Sequence, residues 1–231
     1  MCRRAISIVV DDSGMALVAT LMAMTLMAAL ATMLATLTIT ETRIAALDQA
    51  GSEALYAADA AVELAIDGLA RAPDWNLVLS GQALSQFVDG APAGVRTLPD
   101  GSSFDFAAET NVLRCGRPQA CSPAEVSIVT AERPWGANNP FWQPYLFGRL
   151  AALLPSAPDA YVVAWVADDP AEDDGDPLRD GDLAGNAGRG IIRLIGHAYE
   201  RTGVRRVLEA TIQRVQTAAG PRIRKLAWRE I

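Results

Sequence analysis

The feature that most constrains this chain is the stretch 15–40, which contains no charged residue. An α-helix rises 1.5 Å per residue, so these residues would form about 39 Å of helix, and the hydrocarbon core of a membrane is about 30 Å thick. Charged residues frame the stretch, with Asp11 and Asp12 before it and Glu41 directly after it. We therefore expect a membrane-spanning helix over residues 15–40.

Three interpretations of this segment differ in where the chain is cut. A secretory signal has a shorter apolar core and a small-residue cleavage site after it, and no such site follows here. An uncleaved signal anchor fits the length but leaves Ser13 and Gly14 at its start unexplained. We favour cleavage between Gly14 and Met15, which would remove a hydrophilic leader, residues 1–14, and leave a new N-terminus on the apolar helix.

The helical pattern continues beyond the apolar stretch. Residues 41–72 are rich in alanine and contain no proline, and the next proline is Pro73. Apolar residues recur there at a spacing close to 3.6 residues, which predicts an amphipathic helix. These residues are Ile44, Leu47, Leu55, Val62, Ile66 and Leu69. We predict one N-terminal helix over 15–72, with a head formed by residues 73–231.

The head divides by its sequence pattern into two parts. Residues 73–158 are rich in turn signals and are predicted to be a loop-rich insertion, with short strands at 104–106 and 126–128 and a short helix at 145–154. Its aromatic side chains are interpreted as a satellite core, with a binding face as the alternative. They are Trp135, Phe141, Trp142, Tyr145 and Phe147.

Residues 159–231 have the pattern of an antiparallel sheet. The segments "AYVVAWVA", "RGIIRLIGHAYE" and "RRVLEATIQRV" are apolar or alternating, and "RTGV" between the last two is a hairpin signal. A final strand is expected in "RIRKLAWREI". With the helix packed on this sheet, the fold class is α+β.

Charge and cysteine content restrict the partners and the compartment. The net charge is −7, and no basic stripe offsets it, so nucleic-acid binding is not expected. Cys115 and Cys121 lie beyond the apolar helix, whereas Cys2 lies in the leader. An even pair in an exported part predicts one disulfide; two thiols or half of a metal site are the alternatives.

One loop concentrates carboxylates. "DDPAEDDGDPLRDGD", residues 168–182, holds eight acidic residues with intervening glycines, a composition that Ca²⁺ favours, although the spacing is not that of an EF-hand. A solvated acidic loop is the alternative. The candidate ligands are Asp174, Asp176, Asp180 and Asp182. No other cofactor is expected.

No pattern indicates an enzyme. His197 is the only histidine and lies on a predicted strand, so a structural or surface role is expected. The chain contains none of the nucleophile-elbow, phosphate-loop or zinc-protease motifs. We expect no catalytic residue, and a signal-anchored periplasmic protein or hydrolase is the least favoured alternative.

The N-terminal region resembles a known family. "GMALVATLMAMTLMAALATMLATLTITETRIAA", followed by "ALYAADAAVELAIDGL", is similar to the N-terminal domain of PilX-class minor pilins of type IV pili. The resemblance covers residues 13–70; beyond residue 75 it extends only to the general architecture of pilin heads. It implies cleavage at Gly14–Met15 by a prepilin peptidase and methylation of the new amine. It further implies an inner-membrane location with a periplasmic head, then extraction through an assembly platform into an extracellular filament. Several pilin-like heads bind calcium in a C-terminal loop, which favours the ion at residues 168–182.

One departure from the family pattern concerns position in the filament. Most pilins carry glutamate five residues into the mature chain, where this sequence has Ala19. That glutamate pairs with the buried N-terminal ammonium of a neighbouring subunit, because an unpaired buried charge is costly. A tip subunit needs no such glutamate, so the resemblance implies a minor pilin at or near the tip, with other pilins as partners and a tip adhesin as a further candidate partner. Tip-type pseudopilins of type II secretion share the absence and are the alternative.

Overall fold

The structure is a computed structural model that describes residues 13–172, 175–180, 189–218 and 220–231. A single helix, α1, spans Ser13–Arg71. The chain divides into two compact units, one ending at Asp48 and one comprising Gln49–Ile231. The N-terminal unit contains the apolar part of α1, and the second unit contains the remainder of α1 together with the head.

The head is organised around a five-stranded antiparallel sheet in which the strands follow in sequence order. The strands are β3 (Gln143–Arg149), β4 (Ala160–Asp168), β5 (Ile191–Glu200), β6 (Arg205–Thr217) and β7 (Gly220–Glu230). Every pair is antiparallel, and the hairpin between β5 and β6 lies at the predicted "RTGV" segment. The predicted α+β class, a long helix packed on an antiparallel sheet, is confirmed.

Helix α1 contacts one face of this sheet through a row of small side chains. Its buried apolar positions are Ala50, Ala54, Ala57, Ala58, Ala61, Val62, Ala65 and Leu69. The six from Ala57 to Leu69 share a core with alternate residues of the strands, among them Val162, Leu194 and Ala210. Gly196 of β5 lies so close to α1 that an added Cβ would stand 3.1 Å from the carbonyl oxygen of Ala58. The absence of side-chain bulk on both elements thus permits the close approach.

The opposite face of the sheet is covered by the segment between α1 and β3. This segment contains a two-stranded sheet of β1 (Val95–Thr97) and β2 (Ser103–Asp105), and the helices α2 (Trp75–Leu79), α3 (Phe106–Cys115) and α4 (Pro123–Val126). Phe104 and Phe106 pack there against Phe147, Tyr161 and Trp165 of the sheet. Because both faces of β4 are covered, all nine of its residues are buried.

Three local predictions for this segment met different outcomes. The strand expected at 104–106 is present as β2, although Phe106 already begins α3 with Asp105 as its N-cap. The strand expected at 126–128 was wrong, because Ser122 and Glu125 form a capping box that begins α4. The helix expected at 145–154 was also wrong: its first half is the edge strand β3, and a 3-10 turn, Leu150–Ala152, follows.

Candidate functional site

The apolar part of α1 carries its side chains on the outside. Every residue of 14–49 is exposed, including large apolar side chains such as Met15, Met22 and Leu34. Among the described residues, α1 is the one helix long and apolar enough to cross a membrane. A helix of this kind, close to the N-terminus, is typical of a signal or membrane anchor. An exposed apolar surface of this extent is typical of a membrane or protein contact.

The hydroxyl groups of this helix are satisfied internally. Threonine side chains donate hydrogen bonds to carbonyl oxygens three or four residues earlier, as Thr20 does to Leu17 at 2.8 Å and Thr42 does to Thr38 at 2.7 Å. The same pattern recurs at Thr25, Thr32, Thr36, Thr38 and Thr40. Polar side chains that bond back to their own helix can enter an apolar environment without losing a partner.

The N-terminal processing residues lie at the beginning of α1. Gly14 and Met15 are both helical and exposed, and nothing approaches the position of a Cβ on Gly14 within 4 Å. Ala19 lies one turn further along, also exposed. Cleavage between Gly14 and Met15 stays a prediction, and the rest of the proposed leader, residues 1–12, lies outside the described residues.

The predicted disulfide between Cys115 and Cys121 is confirmed. Cys115 is the last residue of α3, and Gly116 follows as a left-handed C-cap with φ of 79°, which turns the chain back toward α3. The Cα atoms of the two cysteines lie 6.2 Å apart. The bond closes a short loop that also contains Arg117, whose guanidinium pairs with Glu125 of α4. It therefore connects α3 to the start of α4.

The predicted aromatic cluster is divided by strand β3. Tyr145 belongs to the core that contacts α1, whereas Trp142 and Phe147 belong to the core on the opposite face. Trp135 is exposed, and Phe141 is half-buried beneath the guanidinium of Arg114, 4.0 Å from the ring centre. Three of the five rings are core residues, although they belong to two cores and not to one.

His197 is buried within the sheet. Its Nδ1 lies 3.1 Å from the hydroxyl oxygen of Tyr199, and its ring is 4.7 Å from that of Trp165. Burial, with a smaller effect from the nearby positive charge of Arg205, lowers the pKa of His197 to about 3. A neutral imidazole between aromatic rings is a core group, in keeping with the structural role expected from the sequence.

Sequence reasoning missed a buried carboxylate held by two arginines. Glu209 of β6 is paired with Arg193 of β5 and with Arg229 of β7, whose Nε lies 2.8 Å from Glu209 Oε2. These two guanidinium groups hold the pKa of Glu209 below its usual range despite burial. The alternation along each strand could have placed Glu209 on a face, but not its pairing across three strands. The arrangement ties the middle of the sheet to its edge strand.

The acidic loop brings together three carboxylates at the end of the sheet. Asp168 is the last residue of β4, Glu172 follows in the connection, and Asp180 lies nearer to β5. One carboxylate oxygen from each lies within 4.8 Å of the others. Asp168 and Glu172 are buried, with 4% and 1% of their surfaces exposed. Among the described residues, this is the group with the composition of a metal site.

The backbone around this cluster is anchored by amide side chains from the loop-rich segment. Asn76 of α2 accepts a hydrogen bond from the Asp180 amide at 2.8 Å, and Asn138 accepts one from the Gly175 amide at 2.8 Å. Asp180 itself accepts one from the Gly190 amide at 2.6 Å. The first two contacts hold Gly175 and Asp180 on the head, and the third joins Asp180 to the residue that precedes β5.

Electrostatics within the cluster oppose ionisation of Asp168. Burial is the largest cause, and the neighbouring charges of Glu172 and Asp180 add to it, so the pKa of Asp168 is raised far above its usual range. Three carboxylates in one place require either protons or a cation to offset their charge.

Of the four ligands predicted from the sequence, two are among the described residues, and one of these two is in this cluster. Asp180 belongs to it, while Asp176 is described but is not one of the three. Asp174 and Asp182 lie outside the described residues. Asp168 and Glu172 belong to the same acidic run. They differ from its other described members by being buried in the cluster, and the sequence did not indicate that burial.

Comparisons with protein families, with curated proteins and with solved structures found no match for this chain. The architecture itself, a long N-terminal apolar helix packed on a C-terminal antiparallel sheet, is consistent with a pilin-like fold.

Proposed function

We propose that this protein is a minor pilin that takes part in the assembly of a type IV pilus, at or near the filament tip. The observation that supports this most is the division of α1 into a charge-free, exposed half and a half that packs on an antiparallel sheet. An anchor for a soluble enzyme has no need to continue into its head as a single helix, whereas a filament subunit uses that helix to join others.

The exposed half of α1 can serve in two apolar environments in turn. Its large apolar side chains are about half to three quarters exposed, so each would gain about 1–2 kcal/mol from complete burial. A lipid bilayer provides that burial before assembly, and neighbouring helices provide it inside a filament. The back-bonded threonines leave no hydroxyl group that needs a partner from outside.

The position in the filament follows from Ala19. A subunit within the shaft neutralises the buried N-terminal ammonium of the subunit ahead of it, and a methyl group cannot do this. A subunit with no neighbour ahead has no ammonium to neutralise. We therefore propose a position at or near the tip, where its partners would be other minor and major pilins and a tip adhesin, after processing by a prepilin peptidase and insertion through an inner-membrane assembly platform.

The same argument from Ala19 supports a second candidate, a tip-type pseudopilin of a type II secretion system. Such a subunit would share the membrane helix and the missing carboxylate. The two candidates differ in the filament with which the protein co-purifies, a surface pilus or a short periplasmic structure.

The decisive experiment measures the abundance of this protein in sheared filaments by quantitative mass spectrometry. We expect it to be rare compared with the major subunit, and we expect its deletion to reduce the number of filaments and not their length. Abundant incorporation along the shaft would refute the tip assignment.

A matched pair of substitutions tests the charge argument directly. Ala19→Glu places a carboxylate without a partner in apolar surroundings at the tip. The number of filaments should therefore fall or stay unchanged. Ala19→Gln has the same size without the charge and serves as the control. A large increase in incorporation with Ala19→Glu but not with Ala19→Gln would show that the natural protein is a shaft subunit weakened by its missing charge.

A further inference from the structure

The three carboxylates at the end of β4 form a more selective arrangement than the acidic loop as a whole. The run 168–182 contains eight acidic residues, yet among the described ones only Asp168, Glu172 and Asp180 bring an oxygen each to within 4.8 Å of the others. Two of the three are buried. A loop whose acidic residues serve only to interact with solvent would not place carboxylates beneath the surface, because burial of a charge is costly.

A second observation points to a ligand in the cluster. Asp168 is 96% removed from solvent, and its Oδ1 atom has no hydrogen-bond partner among the described residues. Carboxylate oxygens buried in proteins are normally satisfied, so an oxygen of this kind requires an explanation. It lies on the residue that begins the cluster, beside two further carboxylates, where a cation would satisfy it.

We propose that Asp168, Glu172 and Asp180 bind one divalent cation, with Ca²⁺ as the preferred ion. Calcium bonds to oxygen ligands at about 2.3–2.6 Å, so two ligands on opposite sides of the ion stand up to about 5 Å apart. The spread of the three oxygens, within 4.8 Å, fits around one such ion. Mg²⁺ requires about 2.0–2.1 Å and a stricter octahedron, so the same side chains would have to contract around it.

The cation joins two parts of the chain that are distant in the connection. Asp168 is the last residue of β4 and Glu172 lies just after it, whereas Asp180 lies about midway to β5 and is held there by Asn76 and Gly190. Binding therefore fixes the connection between β4 and β5 to the head and offsets the repulsion among three carboxylates. This site does not depend on the proposed role in a filament.

An arginine near the cluster does not replace the ion. Arg214 of β6 interacts electrostatically with Asp180, but its guanidinium donates hydrogen bonds to the carbonyl oxygens of Leu69 and Ala72 and stacks on the ring of Trp75. Its charge is thus directed at the end of α1, and it contributes at most one positive charge to a group of three carboxylates.

The experiment uses the full-length protein in uncharged detergent micelles, stripped of metal with EDTA and dialysed. Calorimetric titration with CaCl₂ and with MgCl₂ measures binding, and tryptophan fluorescence measures the melting temperature. All five tryptophans lie in the head, so the signal reports on the head alone. We expect saturable Ca²⁺ binding, weaker Mg²⁺ binding, and a melting temperature that rises with the logarithm of the Ca²⁺ concentration and falls again when EDTA is added.

Substitutions assign the binding to the three residues. Asp168→Asn and Asp180→Asn keep the size of the side chain and should each weaken Ca²⁺ binding about tenfold or more, with the metal-free melting temperature of Asp168→Asn unchanged or raised because repulsion is relieved. Glu172→Gln tests the same site without altering β4. Asp176→Asn is the matched control, since Asp176 lies in the same loop but outside the cluster, and its binding should match the unaltered protein.

Each outcome of these measurements either supports or overturns the cation site. Loss of the calcium response in the three cluster variants, with its retention in Asp176→Asn, supports the site. Absence of binding and of a thermal shift at millimolar Ca²⁺ would overturn it and leave the carboxylates sharing protons. An equal loss in Asp176→Asn, or full retention in Asp168→Asn, would overturn it as well, because the ion would then be held by the loop in general.

Discussion

At the scale of single residues, the head contains buried ionisable groups with opposite pH dependence. The pKa of His197 is lowered to about 3, first by burial and then by Arg205, so the folded protein does not take up its proton at mildly acidic pH. The pKa of Asp168 is raised by burial and by neighbouring carboxylates, so the folded protein holds a proton that the unfolded chain would release. Acidification therefore destabilises the head through His197 and stabilises it through Asp168.

The effect of His197 can be isolated by substitution. The unfolded chain protonates a histidine near pH 6.5 and the folded protein does not, so stability falls as pH decreases through this value. Between pH 7.5 and 5.5 the loss amounts to about 1.4 kcal/mol. We expect His197→Gln to remove this loss while it retains every other titrating group, Asp168 included.

Urea unfolding of the full-length protein in micelles with EDTA, followed by tryptophan fluorescence at both pH values, measures the difference. Parallel pH dependence in the two proteins would show that the folded state accommodates a protonated His197.

At the scale of secondary-structure elements, the contact between α1 and the sheet depends on small residues. Gly196 of β5 lies opposite Ala58 and Val62 of α1, and a Cβ on Gly196 would stand 2.7 Å from Val62 Cγ2. The neighbouring backbone carbonyl of Ala58, at 3.1 Å, leaves little room for adjustment. Alanine in place of glycine would therefore force the helix away from the strand or rotate a buried valine.

Gly196→Ala should lower the stability of the head by about 1–3 kcal/mol, the usual cost of inserting a methyl group into a packed core. The double variant with Val62→Ala provides the control, since it removes the atoms that the new methyl group meets. We expect the cost of Gly196→Ala to be smaller in that background, a coupling that a double-mutant cycle in urea measures. Additive effects of the two substitutions would show that the helix–strand distance adjusts without strain.

The elements that could be predicted are those whose local sequence pattern agrees with their packing in the tertiary structure. Strands β4 to β7 are apolar or alternating, and their hairpin signal lies where the chain turns. Strand β3 could not be recognised, because the leucines and alanines of 145–154 favour helix locally and the pairing with β4 decides otherwise. The helix face was anticipated from large apolar residues, yet Ile44 and Leu47 are exposed and alanines form most of the contact.

The candidate cation site, too, could be predicted only in part from the sequence. Acidic composition indicated the loop and one ligand, Asp180, but burial selects Asp168 and Glu172, and burial depends on the tertiary position of β4. The disulfide was predicted because Cys115 and Cys121 are an even pair in the part expected to be exported, and in the structure a turn through Gly116 brings them together. Local features can thus be read from local sequence, whereas sites built across strands cannot.

At the scale of the whole molecule, charge is distributed very unevenly along the chain. Residues 15–40 carry no charge, and within residues 1–14 Arg3 and Arg4 are balanced by Asp11 and Asp12. The whole net charge of −7 therefore belongs to residues 41–231. Positive residues before an apolar helix favour retention of that end in the cytoplasm, so we propose that the acidic head lies on the other side of the membrane. In that arrangement the bond between Gly14 and Met15 would be within reach of a membrane peptidase.

The mature protein should therefore begin at Met15 in cells that contain a prepilin peptidase. Removal of residues 1–14 leaves an ammonium group at the start of an apolar helix, which is what a filament subunit needs and what an ordinary anchor lacks. Intact-mass measurement of the membrane fraction, with and without the peptidase, checks this: the shorter mass should appear only when the peptidase is present. A start at Met1 in both cases would favour a signal anchor, and a cut after Thr40 would favour a secreted head; either result would refute the filament assignment.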